Sequence, residues 1–436
     1  MKQLLFNFKW RLYKPRIMRA FSEAQAYQYF PSEHLEVLAE NKRRKIVRHA
    51  VEHTAFYRKF YGDVGFELGD MESDGWFERL PVLKKEHLRE YFDQITDQGQ
   101  VKYRGISTTG GSTGTPTRTG YDLRLPQEVM SWRFQRWFNV NPWDDHAYVW
   151  RQTRSPLSSL VNTVIWWPTR HLKLDASFMT EDQILKFFIR YNRLRPSLLE
   201  GYVGAITQLA QLVLEKGLRV HSPKCVWVTS APISEVQKNM IREAFHAPIL
   251  NQYGSCEIAS IAQSCPADCG LHVNVDRVCL EYVDEQGKPV PAGGYGRALL
   301  TNLVDTVFPM IRYENGDRGR WLKEKCPCGR TLPMIDSVKG RESESFVLPS
   351  GRTVNGEFLT TIFDATPNIA RGFKVVQHKD LSITVQCIPT TGRENEVKSV
   401  VAAFASKIGN EVNVTCEFVT EIPHDRGKLR FVVREK

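Results

Sequence analysis

The segment from Cys225 to Tyr253 limits the fold more than any other. Cys225 to Thr229 is apolar and β-branched, Ser234 caps a helix running to Phe245, and Pro248 to Tyr253 is apolar again. A strand, a helix and a strand within about thirty residues imply parallel strands joined by a right-handed crossover. Ligands of such sheets bind beyond the carboxyl ends of the strands. Two stretches fall there, Thr229-Ser230-Ala231-Pro232 and Asn251-Gln252-Tyr253-Gly254-Ser255-Cys256-Glu257. The second sets a ring that can stack on a base beside a glycine that permits close approach and a carboxylate suited to Mg²⁺ on a phosphate. Tyr-Gly at a strand end is also an ordinary turn.

Upstream, Thr180 with Glu181 and Asp182 starts a helix that Pro196 stops after Arg195, and Tyr202 to Lys216 is a second helix ended by Gly217. Ala147 to Trp150 and Thr163 to Trp166 are short apolar runs within this alternating strand and helix pattern. Ser32 to Leu123 reads as mostly helical, with an aromatic packing face from His53 to Tyr61, and a Trp/Phe-rich helix covers Glu128 to Phe138. Between them lies Thr108-Thr109-Gly110-Gly111-Ser112-Thr113-Gly114-Thr115-Pro116-Thr117, which has nothing to give a core and is a loop. Its glycines and hydroxyls suit an anion such as a polyphosphate, although it lacks the Lys of the GxxxxGK[ST] phosphate loop. Its composition alone equally fits a solvated linker.

After Glu281 the pattern turns to β structure, with hairpin turns at Asp284 to Gly287 and Ala292 to Gly294, and leads into Ile311-Arg312-Tyr313-Glu314-Asn315-Gly316-Asp317. Asp317 can accept two hydrogen bonds from a ribose diol; a solvated turn is the plain alternative. Lys339-Gly340-Arg341 marks a boundary. Beyond it, strands at 373–377, 382–388, 412–419 and 429–433 with a helix at 394–408 make a small α+β unit. Its last loop, Pro423 to Lys428, presents Lys428 beside Gly427.

At 436 residues the chain is long enough for two or three domains, and its net charge of +10 suits acidic partners. The basic residues are spread along the chain, so nucleic acid is not implied. No apolar stretch is long enough to span a bilayer, and no signal peptide with a cleavage site is present, which points to the cytoplasm. Met1 to Phe21 interleaves Leu4, Leu5, Phe6, Phe8, Trp10, Leu12 and Tyr13 with Lys2, Lys9, Arg11, Lys14, Arg16 and Arg19. This basic amphipathic segment suits peripheral membrane contact, or a terminal helix docked on the protein body. Nine cysteines without a secretory signal argue against a disulfide framework. The pairs Cys265/Cys269 and Cys326/Cys328 could instead close a structural zinc site, with His272 as a substitute ligand.

Five ordered motifs together resemble the adenylate-forming superfamily, in its phenylacetate-coenzyme A ligase-like branch with its capsule-biosynthesis relatives. They are the Thr108 to Thr117 loop, Tyr253-Gly254-x-x-Glu257, Arg312-Tyr313-x-x-Gly316-Asp317, Gly340-Arg341, and Pro423 to Arg430 with Lys428. Cys326 to Arg330 also resembles this branch. The resemblance implies a large domain of layered sheets and helices at 1–338, a hinge at 339–341 and a small mobile α+β lid at 342–436.

It also implies an AMP-forming ligase that converts a carboxylic acid and ATP to an acyl-adenylate and passes the acyl group to coenzyme A. In the site so implied, Thr109, Gly110, Gly111, Ser112, Thr113 and Gly114 cradle phosphates. Ala231, Tyr253 and Gly254 flank adenine, Glu257 holds Mg²⁺, and Asp317 takes the ribose. Arg341 assists at ribose or phosphate, and Lys428 bridges the carboxylate and the α-phosphate. Trp132, Trp137, Trp166 and Trp167 are candidates to line the acyl pocket near Glu200-Gly201-Tyr202.

The chain departs from the family pattern at Thr229 to Pro232, at Glu342-Ser343-Glu344 after the hinge, and at His424-Asp425-Arg426. An amine acceptor, as in surface-polysaccharide assembly, is the alternative within the class. A non-catalytic nucleotide-binding assembly protein is the alternative outside it.

Overall fold

The computed structural model describes residues 1–109, 117–150, 156–176, 179–336, 338, 346–350, 353–354, 359, 362–363, 366–409, 411–422 and 432–435. The chain forms two compact units: Met1–Lys14, Phe134–Gln252 and Val338–Lys436 make one, and Pro15–Arg133 with Tyr253–Ser337 make the other.

The first unit contains five parallel strands in the spatial order Ile249–Tyr253, Cys225–Thr229, Leu198–Tyr202, His146–Trp150, His171–Asp175. Its helices begin as the sequence dictates. The Thr180 hydroxyl accepts from Gln183 N, and that glutamine side chain returns to Thr180 N, at the start of Glu181–Leu194. Ser234 and Gln237 close the same reciprocal cap on Glu235–Phe245. Every residue of Cys225–Thr229 is buried, as expected of a strand covered on both faces. Thr163 to Trp166, in contrast, is the end of the helix Pro156–Trp166, so that apolar run does not form a strand.

The carboxy-terminal part of this unit is a four-stranded sheet in the order Val414–Phe418, Ile383–Pro389, Ala370–Gln377, Val432–Arg434, with the helix Glu394–Lys407. Its core, from Phe346 through Phe373 and Val385 to Val401, also takes in Val236 from the Glu235–Phe245 helix.

The second unit holds the helices Ser32–His53 and Ala55–Gly62, which carry the expected aromatic face: Tyr57 and Tyr61 are buried with rings 5.2 Å apart. Here the largely helical reading fails at one place. Arg104–Thr109 and Thr117–Asp122 pair antiparallel, with Thr109 opposite Thr117, so residues 110–116 connect the two strands. Thr117 and Thr119 are buried on one face, and the Tyr121 ring lies across Gly105, where a Cβ would approach Tyr121 Cζ to 2.4 Å.

An antiparallel sheet of Val278–Val283, Gly296–Asn302 and Tyr313–Gly319 follows, with turns at the expected Asp284–Gly287 and 291–294. Three short strands, Met334–Ile335, Leu271–Val273 and Ala262–Ser264, pair antiparallel in that order.

Candidate nucleotide site and cysteine cluster

Arg312 fixes the start of the strand that bears Asp317. It is buried at a φ of 51°, and its guanidinium faces Glu281, with Nε 3.2 Å from each carboxylate oxygen. It also donates to the carbonyls of Glu78, at 2.6 Å, and Leu80. Burial pushes the Glu281 carboxyl upward, against the pull of Arg312. The Arg312 of the Arg-Tyr-x-x-Gly-Asp motif is therefore an anchor for the strand.

Two residues beyond Tyr313 the strand bulges. Leu299 pairs with Glu314 and Arg297 with Arg318, so one residue on the neighbouring strand faces three, Asn315, Gly316 and Asp317. Gly316 supplies a φ of 83° that other residues adopt at a cost. Such bulges re-aim side chains. The buried Asp317 carboxylate consequently accepts from the Tyr253 hydroxyl at 2.7 Å, and Asn315 Nδ2 donates to the same hydroxyl at 3.0 Å and to Asp317 at 2.5 Å. Burial, and then the Asp317 charge, drive the Tyr253 phenol far above its ordinary range, so it stays a donor. Tyr253 and Asp317, drawn from separate motifs, thus form one cluster. Four residues after Tyr253, the half-buried Glu257 accepts from Tyr313 OH at 3.3 Å. At Gly254 a Cβ would stand 3.0 Å from Ser260 N, a tight fit that favours glycine.

Ala231 lies in the other unit, after the strand Cys225–Thr229 and next to Ser230, whose φ is 73°. Thr109 ends the strand Arg104–Thr109. Gly110, Gly111, Ser112, Thr113, Gly114, Arg341 and Lys428 lie outside the described residues.

Among the proposed pocket aromatics, Trp132 and Trp137 are buried, the first edge-on to Phe21 and the second to Phe134. Trp166 packs 5.2 Å from Trp10, and Trp167 is exposed. Packing therefore accounts for three of the four rings.

The cysteine pairs do meet. Cys265 Sγ lies 3.5 Å and Cys269 Sγ 3.3 Å from Cys326 Sγ, while Cys328 Sγ is 3.4 Å from His272 Nε2. The ligand atoms of Cys265, His272, Cys326 and Cys328 all fall within 4.8 Å of one another. His272 pairs with Met334 across two short strands, and its Nδ1 is 3.0 Å from the Leu332 carbonyl, which fixes the tautomer whose Nε2 lone pair can serve as a ligand. Gly329, at a φ of 79°, turns the chain after Cys328. Cys269 is exposed beside this set of four. Three thiols and an imidazole fit tetrahedral Zn²⁺.

Several known proteins resemble this chain over most of its length. The CapK C-terminal domain family model matches residues 346–435. The chain is 24% identical over 425 residues to the phenylacetate-coenzyme A ligase of Thermus thermophilus, covering 93% of this chain and 90% of the relative. It is 23% identical over 369 residues to the CapK protein of Staphylococcus aureus, covering 81% and 79%. Over most of its length the chain is similar to the phenylacetate-coenzyme A ligase-like branch of the adenylate-forming superfamily. The fold agrees with that placement. The crystal structure of a 2-hydroxyisobutyryl-CoA ligase in its postadenylation state superimposes with a TM-score of 0.75 at 19% identity, over 94% of this chain and 91% of that one. The mixed α/β architecture with its carboxy-terminal α+β part is therefore shared with that ligase.

Proposed function

We infer that the protein is an ATP-dependent, AMP-forming ligase. A substrate carboxylate oxygen bonds to the α-phosphorus of ATP, the bond from that phosphorus to the bridging oxygen breaks, and pyrophosphate leaves. The coenzyme A thiol then attacks the acyl-adenylate carbonyl, losing its proton as AMP departs. The union of Tyr253, Asn315 and Asp317 supports this reading, because an aromatic ring and a carboxyl group suited to a diol meet in one buried cluster.

In it, Tyr253 presents its ring to adenine while its hydroxyl holds Asp317, and Asp317 receives the ribose hydroxyls. Gly254 and Ala231 let the base approach. Thr109 to Gly114 enclose the phosphates with backbone donors, as expected where catalysis is mainly positioning and charge stabilisation. Mg²⁺ on Glu257 would neutralise phosphate charge, and Arg341 would assist at ribose or phosphate. Residues 342–436 act as the lid and 339–341 as the hinge, which delivers Lys428 to the carboxylate and α-phosphate. The family-model match over 346–435 supports that division. Zn²⁺ held by Cys265, His272, Cys326 and Cys328, with Cys269 adjacent, would be structural, since four protein ligands leave no open position. An amine is the alternative acceptor.

Acid-dependent exchange of labelled pyrophosphate into ATP tests the first step. Activity with some member of a broad acid panel is expected, and its absence across the panel in folded, ATP-binding protein would refute the reading. Lys428→Ala should reduce exchange at least about a thousandfold, the scale of a transition-state charge contact, with ATP affinity nearly unchanged. Mass spectrometry of products formed with coenzyme A or candidate amines distinguishes the acceptors. Metal analysis should find about one zinc per chain, and Cys326→Ser should release it.

A further inference from the structure

The N-terminal helix Lys2–Tyr13 is apolar on two opposite sides. Phe6 and Trp10 are buried, stacked at 5.3 Å, with Phe6 6.1 Å from the Trp143 ring and Trp10 5.2 Å from Trp166. Leu4, Phe8 and Leu12, spaced four residues apart and so on one face, are 75%, 72% and 62% exposed, with Met1 and Leu5 beside them. Docking on the protein body explains the first side only.

The helix Pro156–Trp166 lies against it, because Lys9 Nζ donates to the carbonyls of Val164, Ile165 and Trp167 at 2.9, 2.7 and 3.0 Å. That helix also turns apolar residues outward: Val161, Val164 and Ile165 are about half or more exposed, as is Trp167 just after it. No charged residue occurs from Ser155 to Thr169, and no acidic one from Met1 to Ser22. The exposed cations Arg11 and Lys14 border the apolar stripe of the first helix. No described helix is long and apolar enough to cross a membrane.

We propose that the outward faces of Lys2–Tyr13 and Pro156–Trp166 form a docking surface for an anionic phospholipid bilayer. The apolar side chains enter the boundary between headgroups and acyl chains, and Arg11 and Lys14 meet lipid phosphates. Charge selects this occupant: the surface supplies cations and no acid from its first helix, the pattern of interfacial helices on anionic lipid. The proposal depends on no residue of the nucleotide site and stands or falls apart from the ligase reading.

The test is co-sedimentation of the full chain with vesicles of phosphatidylcholine alone or mixed with phosphatidylglycerol. Binding to the mixed vesicles should exceed binding to the neutral ones by about tenfold or more at low ionic strength and weaken with salt. The triple variant Leu4→Ser/Phe8→Ser/Leu12→Ser should lose it, with an unchanged melting temperature because those side chains face outward. Should that variant prove destabilised, Arg11→Glu/Lys14→Glu must show the same loss. Failure of the wild-type chain to bind mixed vesicles, equal binding to both vesicle types, or full binding by both variants would overturn the proposal. So would a lipid-free doubling of mass in ultracentrifugation that the triple variant abolishes, since the occupant would then be a second copy.

Discussion

In the unit that carries the parallel sheet, the half-buried Glu200 and the buried His146 have no ion-pair partner among the described residues, whereas in the other unit Arg133 faces Asp276 and Arg312 faces Glu281. Desolvation holds the first two neutral. It raises the Glu200 carboxyl to about 8, beside Trp150, and lowers the His146 imidazole to about 4. The second unit keeps its charges and satisfies them. Arg133 donates twice to Asp276 Oδ1 at 3.0 Å and also reaches Asn274, and the Asp276 carboxyl stays below its usual range because, against burial, Arg133 acts together with Lys42 and Arg277. Glu200 and His146 therefore answer to pH, and the Arg133–Asp276 pair to the loss of a partner.

Removing Asp276's partner should do the greatest damage. Arg133→Met strips the buried carboxylate of its hydrogen-bonded guanidinium and should cost about 3–5 kcal/mol in urea unfolding. A cost below about 1 kcal/mol would break the comparison at its strongest point.

Glu200→Gln should act in the opposite sense. The folded carboxyl, raised to about 8, stays protonated while the unfolded one ionises from about 4.5, so wild-type stability falls as pH rises through that window. The residue retains some solvent access, so the gain for the variant at pH 8 is on the order of 2 kcal/mol, vanishing near pH 4. An equal gain at both pH values would mean that titration is not its source.

The effect of His146→Gln should be smaller and confined to acid. The native imidazole resists protonation down to about 4 while the unfolded one takes a proton below 6.5, so stability falls as pH drops from 6.5 toward 4. The variant should flatten that slope, by about 1 kcal/mol at pH 5.5. Melting curves between pH 4 and 7 decide it.

Tyr253→Phe should change least. It loses one hydrogen bond to Asp317 but keeps the ring, so ATP should bind about three- to tenfold more weakly by calorimetry.

The sequence showed the parallel sheet well, because caps such as Thr180 and Ser234 and stops such as Pro196 are local signals. The hairpin around residues 110–116 was harder to see: its strands are made of Thr, Ser and Gly, and its burial comes from partners far along the chain, such as Phe308 packed against Gly120. At the candidate site, residue types were legible but their joining was not. Nothing local says that Tyr253 holds Asp317 or that His272 turns Nε2 toward Cys328. Asn315-Gly316-Asp317 was readable as a turn, and the signal that it interrupts a strand lay in the Val/Leu-rich partner segment, which continues opposite it. Glu200 was read only as part of a pocket stretch and His146 not at all, since desolvation of a titratable group leaves no mark in sequence.

The bulge at Asn315 to Asp317 makes the candidate ribose acceptor a matter of counting rather than of composition. Two surplus residues in one strand create the pucker from which the carboxylate emerges. Substitutions along either strand face would leave that arithmetic intact. Deleting two of the three residues would zip the strands into regular pairing and retract the acceptor without altering any neighbouring side chain, so in this fold strand length is itself a functional variable.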